Sequence, residues 1–582
     1  MRKPVLIILG TIAVALTPAA WSKLASDNAS AKPPAVVSET THYDVLTINA
    51  GSVPTAAAGK TLTLTVDGVE TDLAPGTYKG NVVLSVADDI PVSFMALPVH
   101  HFRTALYVHD GVPVASKSVA AAVLSGKVEP RAAIDLRIES RGERFNAVVV
   151  DGSGSYTLDH PIIDLTGNGG NDFAGFGAGI MATGKTRLTV ERPIIHTQGA
   201  IRTAVFVGGA ATVDVNDAEI EVRNGTLPPD YKFTVDVGKM MEVPWMLGLS
   251  GNARATNLVE DGTVHYNRSH IRVQGWGAMS TDVTRHTRMF VTDSLIEVVD
   301  SGYGAYSIGD SVDTFDHSVI RVADVGAIMA AEGSVTFTNG TWVQSDRYGV
   351  MMHSGTGGGT LTIDKGSLLH ARQTAIQVKG IGTSIVVDDA KVVSDSGVIL
   401  QSMENDDPFL KAMMSGHPPA GMGAPPPGMG PDGDHPRGSR APANPDVTAV
   451  FRNTSLAGDF YNGRTGRSTM RLSFENATIV GVISTSKTAP ATGKEPTRET
   501  YREIGHVSNS VSPPRPDNGL SVMLDGRSHW TVTGRSYLSN LTLAPGARLD
   551  ALPGNRLRLT VNGKTQPLHA GNYRGSILLE SF

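Results

Sequence analysis

Gly304-Ala305-Tyr306-Ser307-Ile308, Gly326-Ala327-Ile328-Met329-Ala330, Gly349-Val350-Met351-Met352-His353, Thr374-Ala375-Ile376-Gln377-Val378 and Gly397-Val398-Ile399-Leu400-Gln401 align as equivalents, their starts 22, 23, 25 and 23 residues apart. A second β-rich segment follows several of them: Val335-Thr-Phe-Thr, Leu361-Thr-Ile and Ser384-Ile-Val-Val. A third also recurs, as Ser318-Val-Ile-Arg-Val, Thr341-Trp-Val-Gln and Lys391-Val-Val. Turns rich in Gly, Asp, Asn and Ser separate the segments. Three short strands per repeat mark a solenoid, because one rung cannot bury its apolar face alone and stacked rungs share a core. A β-propeller fits less well, since its blades repeat at ~40–50 residues.

The pattern extends in both directions. Gly177-Ala-Gly-Ile-Met, Thr203-Ala-Val-Phe-Val and Gly275-Trp-Gly-Ala-Met begin earlier rungs. Met470-Arg-Leu-Ser-Phe, Ala477-Thr-Ile-Val-Gly and Leu520-Ser-Val-Met-Leu continue it downstream. The expected fold is all-β, a right-handed parallel β-helix of three-strand rungs with small β-rich terminal caps. The caps are suggested by a second repeat. Residues 61–84 and 556–579 share ten identities over 24 positions at a constant offset of 495. Open solenoid ends expose unpaired edges, so capping is the structural reading of these units and a small carbohydrate- or wall-binding module the functional one.

The expected organisation is a signal peptide over 1–22, a disordered lead-in over 23–42 and an N-terminal cap unit over 43–100. The β-helix follows over 101–413, then a Pro/Gly/Met-rich insertion over 414–446. Further rungs over 447–550 carry a second insertion at 486–518, with a short helix near Thr497–Ile504, and a C-terminal cap unit spans 551–582. The leader rests on Met1-Arg2-Lys3, an apolar run from Pro4 to Pro18, and Ala19-Ala20-Trp21-Ser22 with cleavage after Ser22. Localisation is therefore expected to be periplasmic or extracellular, with no membrane span after cleavage. The 582-residue chain has no cysteine, which excludes disulfides and thiolate chemistry. Its formal charge of −6 gives no electrostatic case for nucleic acid.

The central rungs resemble the right-handed parallel β-helix repeat proteins, the architecture of pectate lyases and related polysaccharide-acting enzymes. Trp530-Thr-Val-Thr-Gly-Arg-Ser-Tyr-Leu-Ser-Asn-Leu-Thr-Leu-Ala-Pro-Gly resembles the pertactin-like end of autotransporter passengers. Asp316-His317 echoes the Asp-His pair of pectate lyases without the surrounding motif, and the polygalacturonase-type aspartate motifs are not assembled. The resemblance implies export and contact with a polysaccharide or cell-surface component. It does not specify a reaction.

Cleaving a uronate polymer by β-elimination needs a base and a cationic group or Ca²⁺ on the carboxylate. If rungs stack directly, His196, Arg202, Arg254, Asp282 and Asp310 are the catalytic candidates upstream, with His353 further along. Trp245, Asn252, Trp276, Tyr303 and Tyr306 are candidates for substrate binding. The bland reading of the same residues is solenoid corners and structural Arg–Asp pairs. One column, Tyr306, Ile328, Met351, Ile376 and Ile399, with His353 two residues on from Met351, is either solenoid core or an outward apolar face that something must cover. Calcium is a candidate at Glu404-Asn-Asp-Asp407. The Met and His residues of the insertion, among them His417 and His435, suit copper but read better as low complexity. Three readings stay open: a uronate polysaccharide lyase or hydrolase, a non-enzymatic adhesin-like passenger, and an enzyme on a small molecule in a pocket closed by 486–518.

Overall fold

The computed structural model describes residues 32–94, 97–353, 358–408, 411, 446–466, 468–516 and 518–582. The expected signal peptide, residues 23–31 of the lead-in and nearly all of the 414–446 insertion, His417 and His435 included, lie outside these residues.

The chain is a parallel β-helix. One stack of short strands makes a 16-stranded sheet, and the other two stacks merge with the terminal strands into a 31-stranded sheet. Each strand pairs in parallel with its counterpart one rung on, as Tyr303–Ser307 does with Val325–Met329 and that strand with Tyr348–Met352. One core runs through the stack from Ala87 to Leu579. Like residues stack on like: Ile195, Ile220, Ile271, Ile296 and Ile320 follow one another in register, as do Phe315 and Phe337 at 5.6 Å between ring centroids. This is the shared burial that a lone rung cannot achieve.

Two further ladders set the turn between the second and third stacks. One residue there is left-handed in every rung from His160 through Arg192, Asp217, Arg268, Asp293, His317, Asn339, Lys365, Asp389 and Asn453 to Asn476, with φ between 47° and 55°. Asn and Asp tolerate this conformation, and neighbours support one another along the column. Arg268 grips Asp217 at 2.8 Å, His317 Nδ1 lies 2.6 Å from Asp293, and Asn476 Nδ2 donates to Asn453 Oδ1 at 2.9 Å. A buried hydroxyl ladder sits beside it. The amides of Ala218, Ser269, Ser294 and Ser318 donate to the side chains of Ser269, Ser294, Ser318 and Thr341 at 3.0–3.2 Å. These bonds satisfy amides that the turn removes from the strand ladder.

The repeated Gly304, Gly326 and Gly349 have a packing cause. A Cβ on Gly326 would stand 2.4 Å from the carbonyl oxygen of Gly349, and one on Gly349 would stand 2.5 Å from that of Ala375. Neighbouring backbones approach too closely for any side chain. Gly326→Ala should therefore destabilise the middle rungs by about 1–3 kcal/mol, the usual cost of overpacking. Denaturant unfolding checks this, and an unchanged midpoint would count against the close approach.

The terminal repeat is a three-stranded antiparallel unit at each end. Thr41–Ile48, Lys60–Val66 and Gly76–Asp88 form one, and Ser536–Leu543, Leu557–Val561 and Gly571–Ser581 the other. Register is preserved across the 495-residue offset: Thr41 faces Leu84 and Ser536 faces Leu579, with a bulge at Tyr43/Val45 and at Leu538/Asn540. The first unit therefore begins in the expected lead-in, where Val36–Val37 also forms a strand with Thr55–Ala56.

The two copies seat on the solenoid through opposite faces. In the C-terminal copy Leu538, Leu541, Leu559, Ile577 and Leu579 enter the main core. Their N-terminal counterparts Tyr43, Leu46, Leu64, Val82 and Leu84 form a separate cluster under Val37. The other N-terminal face buries Thr63, Val83 and Ala87, with Ala87 in the main core. In the C-terminal copy the residues standing at Thr63 and Ser85 are Arg558 and Glu580, paired with each other on the surface. The outermost face thus carries charge where the inner one carries small residues, which protects an exposed sheet.

Candidate functional site

The outward side of the 16-stranded sheet is not an open groove. The Tyr306, Ile328 and Met351 column faces outward and belongs to a second apolar cluster together with Phe173, Val237, Met240, Leu247 and Trp276. Phe173 comes from the 168–178 turns, Val237, Met240 and Leu247 come from a long connection between Glu219–Arg223 and Arg254–Glu260, and Trp276 directly precedes the strand Gly277–Thr284. The sequence reading missed that connection. The register also differs from expectation beyond Met351: Gln377 and Gln401, rather than Ile376 and Ile399, continue the column. Ile376 instead pairs with Val350 and points into the core. Each of these two rungs is one residue longer than the aligned segment starts imply, so the strands slip by one and then two residues, and each single shift exchanges faces.

Arg254, at the start of its strand, is 1% exposed and is the hub of the upstream cluster. Its guanidinium lies between the rings of Phe173 and Trp276, 4.8 and 4.5 Å from their centroids. Nε and Nη2 reach Asp172 Oδ2 at 2.9 and 2.8 Å, and Nη1 reaches Asp282 Oδ2 at 2.7 Å. Burial works against the charge, but Asp172, Tyr303 and Asp282 outweigh it and hold the guanidinium protonated. Tyr303 bonds Ser280 Oγ at 2.6 Å, and burial pushes its phenol up to about 12. Its ring lies 5.4 Å from that of Tyr306, so Asp282, Trp276, Tyr303 and Tyr306 do gather around Arg254. The gathering is closed to solvent: two rings cover both faces of the guanidinium and two carboxylates pair with it, while Nη2 and Asp172 Oδ1 are buried without a hydrogen bond of their own.

Other expected members lie elsewhere. His196 is on the third stack, exposed between Asp164 and Glu221 in register. It cannot approach Arg254 because a different stack carries it. Asp310 stands in the exposed turn after Tyr303–Ser307, 3.2 Å from His286 Nε2. Arg202 is buried in a corner, where it donates to the carbonyls of Gly167, Phe145, Gly142 and Asn168. Burial pushes it down to about 10, and its donors are spent on backbone. Asn252 pins the connection, exchanging two 2.9 Å bonds with Gly225. Trp245 sits in a short 3-10 turn, Trp245–Leu247, of the same connection.

His353 is buried at the end of its strand, with Nε2 3.1 Å from Asp407 Oδ2. Beside it, buried Lys379 pairs with Asp406 at 2.5 Å, and Asp406 also accepts from the Gly505 amide at 2.6 Å. Glu404 accepts from Thr465 and Gly466 amides at 2.6 and 3.0 Å. The carboxylates proposed for calcium are thus engaged by protein donors, an arrangement that ties the root of one insertion to the other. Among the described residues no cluster of three or more His, Asp or Glu could hold a metal ion.

The 486–518 insertion lies over the far part of the same sheet. It forms a hairpin, Ile483–Pro490 with Val507–Val511, and a single 3-10 turn, Tyr501–Glu503, where a short helix was expected. The carbonyls of Ile504 and Gly505 accept from Tyr348 and Gln377 at 3.0 and 2.6 Å, and Asn509 Nδ2 donates to Gln401 at 2.5 Å. Between insertion and sheet is a pocket of about 310 Å³ lined by Tyr348, Gln373, Thr374, Ser396, Val398, Asp459, Tyr461, His506, Val507 and Asn509. Tyr461 OH donates to Asp459 Oδ2 at 2.7 Å, and the Val482 amide donates to Oδ1 at 2.8 Å. His506 Nδ1 lies 2.8 Å from Glu503 Oε2. Gln373 Oε1 is buried without a partner. None of these lining residues was singled out from the sequence as a ligand group. The visible signal was Asp459-Phe-Tyr-Asn462, a polar-and-aromatic strand after the low-complexity insertion.

No protein-family model matches the chain, and no curated protein matches it. Among the described residues no helix is long and apolar enough to cross a membrane.

Proposed function

We propose that this is an exported β-helix protein that engages a polysaccharide, and that the pocket under the 486–518 insertion is where it does so. The pocket carries the reading: tyrosine rings, amides, hydroxyls and a carboxylate converge in a half-open space large enough for one or two sugar rings. The likeness of the central rungs to pectate-lyase-type solenoids and the leader-like first 22 residues support the same direction. If binding leads to cleavage, Asp459 and the His506–Glu503 pair are the groups placed to exchange protons. A uronate lyase centred on Arg254 is less well supported, because that guanidinium already has its counter-ions.

Tyr461→Ala and His506→Ala should each weaken oligosaccharide binding by about ten-fold, the loss of ~1.4 kcal/mol. Calorimetric titration of the mature chain against a panel of neutral, uronate and amine-bearing oligosaccharides checks this, with a parallel assay for new reducing or unsaturated ends. Failure to bind any member of the panel would sink the carbohydrate reading. The closure of the Arg254 cluster would then favour a non-enzymatic, adhesin-like surface protein.

A further inference from the structure

We infer that the pocket under the 486–518 insertion selects a saccharide carrying a free amine, a glucosamine-type residue, over neutral or uronate sugars; this rests on the carbohydrate reading of that pocket.

The lining is rich in acceptors and poor in cations. Asp459 brings a carboxylate whose two oxygens each keep a lone pair after bonding Tyr461 and Val482. Gln373 contributes a buried carbonyl oxygen with no donor of its own. Such an acceptor costs free energy until a ligand or water donates to it. Among the described residues no lysine or arginine lines the pocket, and the lining imidazole, His506, is paired with Glu503.

The nearby arginines are also committed. Arg347 donates to the carbonyls of Gly248 and Ile504. Arg502 bonds the Asp300 carbonyl and lies 3.4 Å from Asp324. A uronate carboxylate in this space would meet Asp459 with no counter-ion. An ammonium would form a charge-assisted hydrogen bond with Asp459, the stronger kind. An N-acetyl group removes that positive charge while keeping the ring and hydroxyls, so the two forms of one sugar isolate the effect.

The experiment measures binding of short chitosan oligomers, their fully N-acetylated counterparts and oligogalacturonate to the mature protein at one ionic strength. The expected result is that the amine form binds about ten-fold tighter than the acetylated form, equivalent to ~1.4 kcal/mol. Asp459→Asn should collapse that ratio to below about three-fold, and Glu503→Gln, which removes the carboxylate facing His506, should reduce it in the same direction. Asp135→Asn, an exposed carboxyl on another face, should leave the ratio intact and thereby controls for general attraction to an acidic protein. Equal binding of the two chitin-derived forms, tighter binding of oligogalacturonate, or a preference that survives Asp459→Asn would each overturn the amine selection while the carbohydrate reading stood. Absence of binding by all three would overturn both.

Discussion

Arg254→Met will destabilise the protein by about 3–5 kcal/mol, the cost of removing one partner from a buried ion pair. The residue sits between Asp172 and Asp282, with Phe173 and Trp276 stacked on its two faces. Methionine fills much of the same space but leaves Asp172 buried without its cation. Burial already pushes that carboxyl upward against the pull of Arg254, so in the variant it will take up a proton or turn outward. Because Asp172 and Phe173 belong to the turns that cover the sheet, the loss will be local first. Hydrogen exchange and proteolysis should report opening around residues 168–178 before the remaining rungs respond, as expected where each rung contacts only its neighbours. Adding Asp172→Leu to Arg254→Met should recover part of the loss, since it removes the more deeply buried of the two carboxylates left without a cation, while Asp282 remains. A variant that melted with the parent protein yet lost saccharide binding would show that the cluster is a binding site rather than a clamp.

The fold was legible because the solenoid writes its period into the chain. Gly304, Gly326 and Gly349 recur because backbone carbonyls from the next rung leave no room for a Cβ, and the inward Ile and Phe positions recur because like side chains stack. Register was less legible. The rung between Val350 and its partner Ile376 is one residue longer than the alignment of Gly349 with Thr374 implies, and the slip looks harmless in sequence because Gln377 and Ile376 are both compatible with a strand. Yet it decides that the outward column ends in Gln377, Gln401 and Tyr461 rather than in isoleucines. The Arg254 group was found in part because its members lie on adjacent rungs of one stack. What no spacing could show is that the connection from Asn224 to Ala253 folds back to cover it. That connection reads as apolar enough to be a rung, through Trp245-Met-Leu-Gly-Leu. The pocket was hidden for a related reason. Tyr348, Gln373, Asp459 and His506 are separated by two insertions, and only the rung-by-rung pairing and the hairpin over the sheet bring them together.

Asp313 will make stability fall as pH rises, and Asp313→Asn will remove most of that dependence. The side chain points into the solenoid core, stacked in register between Met289 and Val335. Among the described residues Thr281 Oγ1 donates to its Oδ2 at 3.4 Å, and Oδ1 has no partner. Burial raises its pKa well above that of an ordinary carboxyl, opposed weakly by the Thr281 hydroxyl and by the charge of Arg288. The folded chain therefore keeps a proton that the unfolded chain releases above about pH 3.9. Stability from this group is complete below that pH and is lost steadily as pH rises toward the folded value, at about 1.4 kcal/mol per unit. The loss continues until the folded value is reached, whereas asparagine mimics the protonated acid at every pH. Urea denaturation of the two proteins between pH 4 and pH 9 should give curves that nearly coincide at the acidic end and diverge with increasing pH, the variant above. Parallel curves would mean that Asp313 ionises in place, with water reaching the core beside Ser307 and Ser311, whose hydroxyls already bond each other at 2.6 Å. The column would then hold a hydrated polar channel beside Met289 and Val335 rather than a carboxyl kept neutral by burial.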